Sequence, residues 1–297
     1  MSIRTTLPFI WNHPLNRGRR LRGVGRFVAW QLRSNLTRGP HIVDFAGEAR
    51  LSVRRKQTGA TGNIYLGLHE FTEMAFAVHA SRPGDLFVDV GANVGSYTIL
   101  VAVISGADCL SIEPSPEAYA ALLDNVLLNE IGDKVRTFNV VIGSESGQIA
   151  TITTDYDSMN FVTDSTDPNI GGVARVPMRS LDDLFSEESP FLIKADIEGY
   201  EGEMLKGAGH ILKRDQPLAL ILETNGSGAR YGYRDEEIAL SLAEVGFHPH
   251  RYLPFERRIE RLQAHNPAGN TIYINRPKLF SERVEEAAAF LVLGREV

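Results

Sequence analysis

Cysteine is almost absent from this chain of 297 residues, and the one cysteine, Cys109, lies within an apolar stretch. A disulfide framework needs at least two cysteines and a CxxC redox or metal motif needs a pair, so both are excluded. An uninterrupted run of about 18 apolar residues, the length of a membrane-spanning helix, is also missing. The N-terminus lacks the charged, apolar and small-residue succession of a secretory signal. These absences favour a cytoplasmic protein.

Acidic residues are scarce at the start of the chain, although the net charge is -6. Residues 1–60 contain 12 Lys and Arg but only Asp44 and Glu48 as acidic residues, whereas the remainder contains 19 basic and 35 acidic residues. Between residues 16 and 36, apolar residues recur near helical spacing with arginines on most other sides: Leu21, Val24, Phe27, Val28 and Leu32. Two interpretations remain open, a basic amphipathic helix in peripheral contact with an anionic membrane surface, or an accessory helix packed on the main domain.

From residue 86 onward, short apolar runs alternate with helical patterns, which predicts βαβ units and a parallel sheet covered by helices on both faces. The fold class is therefore α/β, a Rossmann-like doubly wound and mostly parallel sheet. The late stretches 247–254 and 270–275 predict two more strands, which we expect to pair antiparallel at one sheet edge. The parallel strands are predicted at residues 86–90, 109–113, 136–142, 191–196 and 218–223.

The stretch DVGANVG, Asp89–Gly95, follows the first of these strands and precedes a helical pattern. In such a unit the first strand-to-helix turn lets backbone approach a ligand at the start of a helix. Gly91 and Gly95 would permit that close approach. A glycine turn alone also occurs in many α/β proteins that bind nothing there.

A second feature is Glu113, at the end of the second predicted strand and followed by Pro114. A carboxylate at this place can accept hydrogen bonds from two adjacent ribose hydroxyls, which favours an adenosine-type ligand. The alternatives are an exposed strand-end carboxylate or a cap for the helix that begins after Ser115. Together, the turn and Glu113 predict a site for an adenosine compound.

Asn93 decides between adenosine compounds, because it stands where the dinucleotide motif G-x-G-x-x-G has its second glycine. A side chain there would crowd a pyrophosphate, and no G-x-x-x-x-G-K-[ST] loop is present either. S-adenosylmethionine has no phosphate. We expect Asp89 to meet its ammonium group, backbone amides around Ala92 and Gly95 to meet its carboxylate, and Glu113 to hold its ribose.

Five stretches resemble the successive motifs of the FkbM family of S-adenosylmethionine-dependent methyltransferases: VDVGANVGSYTILVA, IEPSPEAYAALLDN, FLIKADIEGYEGEMLKGA, LALILE and GNTIYIN. The resemblance runs from roughly Glu70 to Asn275. It implies a class I methyltransferase domain, usually acting on hydroxyls of sugars, glycans or polyketide products. It also implies adenine contacts at Asn139 and Val140, although NVVIG departs from the family's usual sequence there. We therefore expect a basic accessory segment at 1–60, a methyltransferase domain at 61–276 and a C-terminal helix at 277–297.

Methyl transfer to a hydroxyl requires alignment with the activated methyl group and a base to take the hydroxyl proton. Three carboxylates, Asp196, Glu198 and Glu201, follow the fourth predicted strand. Asp196 is predicted as the base or substrate anchor, with Glu198 as the second candidate, although either could instead cap the following helix. Glu201, inside that helix, is predicted to be structural. The acceptor is expected to lie among loops 155–175 and 225–235.

A metal-assisted variant is compatible with the same strand ends. Asp196, Glu223 and Asn225 could supply three oxygen ligands to one Mg²⁺ ion, which is possible here but not expected. His248 and His250 would share one face of a strand, a pair that is more often a surface feature than a metal site. His69 and Glu70 are candidates to reach the substrate, since the resemblance implies a glutamate there.

Other function classes stay open at this stage. An NAD(P)-dependent oxidoreductase is possible on the fold alone, and so is a nucleotide-binding domain without turnover. Nucleic acid is not expected as a partner, because the core is acidic and the fourth strand ends in Asp-Ile-Glu instead of an Asn-Pro-Pro-Tyr type sequence.

Overall fold

The computed structural model describes residues 3–37, 39–55, 57–156, 159–163, 171–185, 187–267 and 269–297. The first part of the chain forms helices and a hairpin: α1 (Ile3–Asn12), α2 (Arg20–Leu36), β1 (His41–Ala46), β2 (Ala49–Val53), α3 (Thr58–Leu66) and α4 (Phe71–Ala80). The central part alternates strands and helices: β3 (Leu86–Val90), α5 (Ser96–Ile104), β4 (Asp108–Ile112), α6 (Pro116–Leu128), β5 (Val135–Phe138), β6 (Val141–Ile142), β7 (Ile149–Thr153) and β8 (Val173–Arg179).

The remaining elements complete the sheet and its cover. They are α7 (Leu181–Leu184), β9 (Leu192–Ala195), α8 (Glu201–Lys206), β10 (Ala219–Thr224), α9 (Asp235–Glu244), β11 (His248–Leu253), β12 (Arg258–Arg261), β13 (Gly269–Ile274), α10 (Pro277–Glu285), β14 (Leu291–Val292) and β15 (Arg295–Glu296). No helix within the described ranges is long and apolar enough to cross a membrane.

The main sheet has eight strands in the order β12-β11-β13-β10-β9-β3-β4-β5. Strands β10, β9, β3, β4 and β5 are parallel, and β13 joins β10 antiparallel. The predicted fold class, a Rossmann-like and mostly parallel sheet, is confirmed. The predicted antiparallel pair is also present as β11 and β13, although the outermost strand on that side is β12.

Helices cover both faces because neighbouring side chains of each strand point to opposite sides. In β3, Phe87 packs in an apolar cluster with residues of α2, α4, α5 and α10, whereas Val88 and Val90 pack in a second cluster with α7, α8 and α9. The parallel strands are thus apolar on both faces, which explains why they stand out in the sequence.

Two predicted elements differ from the structure. Residues 136–142, predicted as one strand, divide into β5, which belongs to the main sheet, and β6, which joins β8 and β7 in a separate three-stranded sheet. The C-terminal segment 277–297, predicted as a helix, is helical only in α10 and ends in the hairpin β14–β15. Helix α3 crosses the expected domain boundary between residues 60 and 61.

Candidate active site

A cavity of ≈ 270 Å³ opens beside the carboxyl ends of β3, β4, β9 and β10. This is the place where ligands bind in open α/β sheets. Eight of the predicted cofactor and catalytic residues line it: Gly91, Ala92, Asn93, Glu113, Pro114, Val140, Asp196 and Glu198. The wall also includes residues from the first part of the chain, in α3 and in the turn before α4: Gly59, Asn63, His69 and Glu70.

The glycine turn is shaped by contacts within the protein. Gly91 has a φ of 74°, and a Cβ atom there would lie 2.0 Å from the carbonyl oxygen of Asp196. Gly95 has a φ of 88°, and its Cβ would lie 2.6 Å from Leu122 Cδ1. Gly91 therefore permits close approach of the turn to the end of β9, and Gly95 permits close approach to α6. Gly95 does not line the cavity, so the expectation that it lets backbone approach the ligand stays a prediction.

The backbone amides of this turn are already engaged. Gly91 and Ala92 both donate to the carbonyl oxygen of Ile112, at 2.9 and 3.0 Å, and Gly95 donates to Ala92 at 2.8 Å. The predicted contact of the Ala92 and Gly95 amides with a ligand carboxylate is therefore not supported by this geometry. Ser96, at the start of α5, lines the cavity instead, and its Oγ accepts a hydrogen bond from Asn63 Nδ2 at 3.1 Å.

Glu113 is the polar group that links the turn to the next strand. Its Oε2 accepts from the Asn93 backbone N–H and its Oε1 from the Ser115 N–H, both at 2.8 Å. Burial raises the pKa of Glu113 to about 7, although these two hydrogen bonds favour the charged form. Each carboxylate oxygen has a second lone pair, so Glu113 can still accept from a ligand hydroxyl. Glu113 can thus bind the N–H at the start of α6 and a ligand hydroxyl at the same time.

Asn93 adopts a left-handed conformation with a φ of 51°, and its side-chain Oδ1 accepts from the Val94 N–H at 2.8 Å. Asn139, predicted to contact adenine, donates its amide to the carbonyl oxygens of Glu113 and Pro114 at 2.8 and 2.9 Å. Asn139 thus braces the loop that carries Glu113 and does not line the cavity, whereas Val140 does.

Asp89 lies beneath the cavity and is fully buried. Its Oδ2 accepts from the backbone N–H and the hydroxyl of Thr98, at 3.1 and 2.7 Å. Its Oδ1 has no hydrogen-bond partner within the described part of the chain and lies 3.7 Å from Lys194 Nζ. Burial raises the pKa of Asp89, and Lys194 opposes this. Asp89 does not line the cavity, so this geometry gives no support to the expected direct contact with a ligand ammonium, which stays a prediction.

Lys194 was missed by sequence reasoning, although it lies inside the FLIKAD strand. The side chain is buried, lines the cavity, and donates to the Gly91 carbonyl oxygen at 3.0 Å. Nζ also lies 3.6 Å from Asp196 Oδ2. Burial lowers the pKa of Lys194, but Asp196 and Asp89 outweigh it and raise the pKa above its ordinary value. The charged lysine thus joins Asp89 to Asp196.

Asp196 and Glu198 both line the cavity, and neither caps α8. Glu201 caps the turn instead, because its Oε1 accepts from the Ile197 N–H at 3.0 Å and its side chain is buried. The structural role expected for Glu201 is thus observed. Glu198 adopts a φ of 56°, and burial, followed by the charge of Asp196, raises its pKa to about 7.

Glu223 completes the acidic wall from the end of β10. Its Oε2 is buried and has no hydrogen-bond partner within the described residues. Burial and then the charges of Asp196, Glu198 and Glu201 raise the pKa of Glu223 to about 9. Asn225 does not line the cavity, since its Oδ1 accepts from the Ser227 N–H at 2.9 Å. Of the three oxygen ligands considered for Mg²⁺, Asp196 and Glu223 thus line the cavity and Asn225 does not. The described residues contain no group of three or more His, Cys, Asp or Glu that could hold a metal ion.

Glu70 reaches the cavity as the sequence predicted, together with His69. Its Oε2 accepts from the Tyr97 hydroxyl at 2.8 Å and its Oε1 from Asn270 Nδ2 at 2.6 Å. Sequence reasoning missed Tyr97 and Asn270, which are distant from Glu70 along the chain. His250 Nδ1 lies 2.7 Å from the His248 carbonyl oxygen, and neither histidine lines the cavity.

One side of the cavity is covered by residues 160–162, Asn160, Phe161 and Val162. The loop 225–235 holds this cover, because Tyr231 donates its hydroxyl hydrogen to the Val162 carbonyl oxygen at 2.7 Å and the Arg230 guanidinium lies 3.9 Å from the Phe161 ring centroid. The rest of the predicted acceptor loop 155–175 lies partly outside the described residues, which omit 157–158 and 164–170.

Several known proteins are similar to parts of the chain. The Methyltransferase sdnD of Sordaria araneosa is 25% identical, in a match that covers 46% of this chain and 65% of that protein. The tRNA(Phe) (4-demethylwyosine(37)-C(7)) aminocarboxypropyltransferase of Pyrococcus horikoshii is 30% identical over 60 residues, 20% of this chain and 22% of that protein. A crystal structure of Methyltransferase FkbM from Methylobacillus flagellatus KT aligns with a TM-score of 0.42 and 17% identity, covering 66% of this chain and 44% of that chain.

The chain thus spans less than two thirds of the length of each of these relatives. The family match covers more of the chain. Residues 89–249, more than half of the sequence, match the family described as Methyltransferase FkbM domain. This range contains the glycine turn, Glu113 and the DIEGYE segment, which all meet at the cavity. The chain therefore belongs to the FkbM methyltransferase family.

Proposed function

We propose that the protein transfers a methyl group from S-adenosylmethionine to a hydroxyl of a saccharide, glycan or similar polar metabolite. The observation that carries this proposal is that Glu113 and Asp196 line one cavity at the carboxyl ends of β4 and β9, on either side of β3 and its glycine turn. Glu113 would bind the ribose of the cofactor, and Asp196 would bind the reacting hydroxyl of the acceptor.

The cofactor half of the cavity extends from Glu113 to Ser96. Glu113 would accept hydrogen bonds from the two ribose hydroxyls, and Pro114 and Val140 would contact adenine. The methionine carboxylate suits the start of α5, where Ser96 and Asn63 are polar and the helix end favours negative charge. S-adenosylmethionine supplies a methyl group already activated by the sulfonium, so the protein's main tasks are alignment and proton removal.

The acceptor half is formed by Asp196, Glu198 and Glu223. Asp196 has Lys194 beside it and is our candidate for the base. Bound S-adenosylmethionine would supply the methyl group to the acceptor oxygen and leave as the neutral thioether, and the Asp196 carboxylate would accept the proton that the acceptor hydroxyl loses. The pKa of about 9 keeps Glu223 protonated at neutral pH, so that it can donate a hydrogen bond to the acceptor.

The acidic wall supports a small acceptor instead of nucleic acid, because carboxylates repel a phosphate backbone. Asp196, Glu198 and Glu223 all line the cavity. An uncharged, hydroxyl-rich ligand meets no such repulsion and can pair with both carboxylates and protonated carboxyl groups. This supports the saccharide class over a nucleic acid.

Calorimetry with S-adenosylmethionine and S-adenosylhomocysteine tests the cofactor. We expect both to bind, and Glu113→Ala to weaken binding about 10-fold to 100-fold, as the loss of hydrogen bonds to a charged group predicts. The control variant Glu117→Ala, at an exposed position in the first turn of α6, should bind both compounds normally. Binding of NAD in place of S-adenosylmethionine would favour the oxidoreductase alternative.

Turnover is measured separately, with isotopically labelled cofactor and a panel of saccharide acceptors. Asp196→Asn should keep cofactor affinity and lose about 100-fold or more in rate, whereas the exposed Asp133→Asn should not change the rate. Normal turnover by Asp196→Asn would remove Asp196 from the mechanism. Cofactor binding with no transfer to any acceptor class would favour a non-catalytic domain. Full activity after chelation and dialysis would exclude Mg²⁺.

A further inference from the structure

Helix α2 presents an apolar stripe to solvent. Leu21, Val28, Leu32 and Leu36 are 79%, 48%, 60% and 81% exposed. Their spacing of seven, four and four residues places them on one face of the helix. We call these four residues the outward stripe. Single exposed apolar side chains are ordinary, but four of them aligned along one helix indicate an interaction surface.

The outward stripe cannot turn inward, because the opposite face of α2 is fixed to the protein. Phe27 and Trp30 are buried in the apolar cluster that also contains residues of β3 and α4. Arg26 donates to the Tyr65 carbonyl oxygen at 2.8 Å, at the end of α3. The helix is thus docked by one face and leaves the other, apolar face without a partner in the described chain.

Arginines flank the outward stripe. Residues 1–43 contain eight arginines and no acidic residue. Arg22 and Arg33 on α2 are exposed, and neither forms an ion pair within the described residues. On α1, Trp11 is 41% exposed and the Arg20 guanidinium lies 5.3 Å from its ring centroid. Exposed leucines, a tryptophan and unpaired arginines are the combination found where helices lie in a lipid interface.

We propose that the outward stripe and its flanking arginines dock the protein on an anionic lipid bilayer, with α2 lying parallel to the surface. Leucine side chains give a nucleic acid nothing to bind, and two copies facing each other through this surface would bring arginines against arginines. The rest of the chain carries 35 acidic and 19 basic residues beyond residue 60. An anionic membrane therefore repels the main body and attracts α2, which orients the protein as it approaches.

Vesicle flotation tests the proposal without reference to methyl transfer, using vesicles of phosphatidylcholine with and without phosphatidylglycerol. We expect the full chain to float only with the anionic vesicles and to be released as salt is raised. The variant Leu21→Ser/Leu32→Ser/Leu36→Ser should lose at least about tenfold in binding, because its apolar contact area is removed. Arg22→Gln/Arg33→Gln should weaken binding at low salt.

A matched control uses exposed leucines elsewhere. Leu127 and Leu240 are 77% and 66% exposed on α6 and α9, so Leu127→Ser/Leu240→Ser should float like the original protein. No flotation with anionic vesicles, or equal flotation of the triple variant, would overturn the proposal. A dimer in light scattering that the triple variant abolishes, without vesicle binding by either protein, would assign the stripe to a second copy and also overturn it. Circular dichroism checks that all variants are folded.

Discussion

Among single residues, Lys194 is a buried cation that lies between two carboxylates of the site. Its Nζ lies 3.7 Å from Asp89 Oδ1 and 3.6 Å from Asp196 Oδ2, and the lysine is almost fully buried. A buried carboxylate without a neighbouring cation carries a large desolvation penalty. Lys194 therefore permits Asp89 to remain beneath the cavity and links it electrostatically to the candidate base.

Replacing Lys194 by methionine should lower the free energy of unfolding by about 3–5 kcal/mol, because Asp89 is left buried without its cation. Adding Asp89→Asn to this variant should recover part of the loss, since an asparagine oxygen can still accept from Thr98. Denaturant unfolding of the single and double variants measures the coupling. Lys206→Met is the control, since this lysine pairs with Glu203 at the surface and should contribute less than about 1 kcal/mol. Equal losses in the two lysine variants would contradict the buried ion-pair role.

At the scale of elements, the turn from β3 to α5 is held by its own hydrogen bonds. The Gly91 and Ala92 amides bind the end of β4, and Glu113 binds the Asn93 amide. Gly91 also lets the end of β3 approach the end of β9, where Asp196 begins. The turn thus fixes the distance between Glu113, the candidate ribose ligand, and Asp196, the candidate base.

Gly91→Ala should separate β3 from β9, because its Cβ would lie 2.0 Å from the Asp196 carbonyl oxygen. We expect a loss of about 2–4 kcal/mol in unfolding free energy and weaker cofactor binding. Gly84→Ala is the matched control, since Gly84 has a φ of 89° and nothing within 4 Å of its Cβ position. Gly84→Ala should lower the unfolding free energy by about 1 kcal/mol, because it adds only the backbone strain of a non-glycine residue at positive φ. If both variants lose the same stability, the strand contact is not what requires glycine at position 91.

The elements that were predictable are those whose environment leaves a local pattern. Strands β3, β4, β9 and β10 are buried on both faces, so their sequences are nearly continuous apolar runs. Glu113 could be predicted as a site residue because it is a carboxylate directly after such a run. By contrast, β7 and β8 have partly exposed patterns that resemble loops. The break between β5 and β6 depends on Asn139, whose bonds to the Glu113 and Pro114 carbonyls are contacts across 26 and 25 residues.

The site residues that sequence reasoning missed depend on such distant contacts too. Lys194 and Asp89 are far apart along the chain, and the same lysine within an apolar strand could equally extend its charge to solvent. Asp89 lies near the end of β3 as predicted, but its hydrogen bonds to Thr98 were not predicted, since the position of a residue in a strand does not tell which neighbour its side chain contacts.

At the scale of the whole molecule, the residues before position 61 take part in the main fold. Gly59 of α3 lines the cavity, and the Asn125 side chain of α6 accepts from the Ser52 backbone N–H of β2 at 2.6 Å. The helices and hairpin of this region therefore support the wall of the site as well as carrying the outward stripe.

The stability that five buried carboxyl groups contribute should be fully present below about pH 4.5 and be lost as pH rises, mostly by pH 7 and for Glu223 by pH 9. Burial raises the pKa of Glu73, Glu113, Glu198 and Glu201 from 4.5 to about 7 and that of Glu223 to about 9. The folded state therefore binds more protons than the unfolded state between these values, and from pH 7 to 9 it does so through Glu223 alone. Each such proton contributes about 1.4 kcal/mol per pH unit. Unfolding at several pH values measures the slope, and Glu223→Gln should reduce it between pH 7 and 9.

Below pH 6.5 the four histidines whose pKa is lowered, His13, His79, His248 and His250, act in the opposite direction. Burial lowers the pKa of His13 to about 4 and of His79 to about 3, so the unfolded state binds their protons first as pH falls. Their contribution is present above pH 6.5 and is lost as pH falls toward those values. A stability that rises steadily from pH 6.5 to 9 would contradict the carboxyl assignments.

The solitary thiol of Cys109 makes the central sheet observable without any engineered probe. The side chain is fully buried in β4, and burial raises its pKa well above the ordinary value, so a thiol reagent in solution meets neither an accessible nor an ionised sulfur. Labelling can proceed only after β4 becomes exposed. Because no second cysteine contributes to the signal, the rate of thiol labelling measures how often β4, the strand that precedes Glu113, becomes exposed. A cofactor that binds only the closed sheet should slow this labelling, and a tighter-binding cofactor should slow it more.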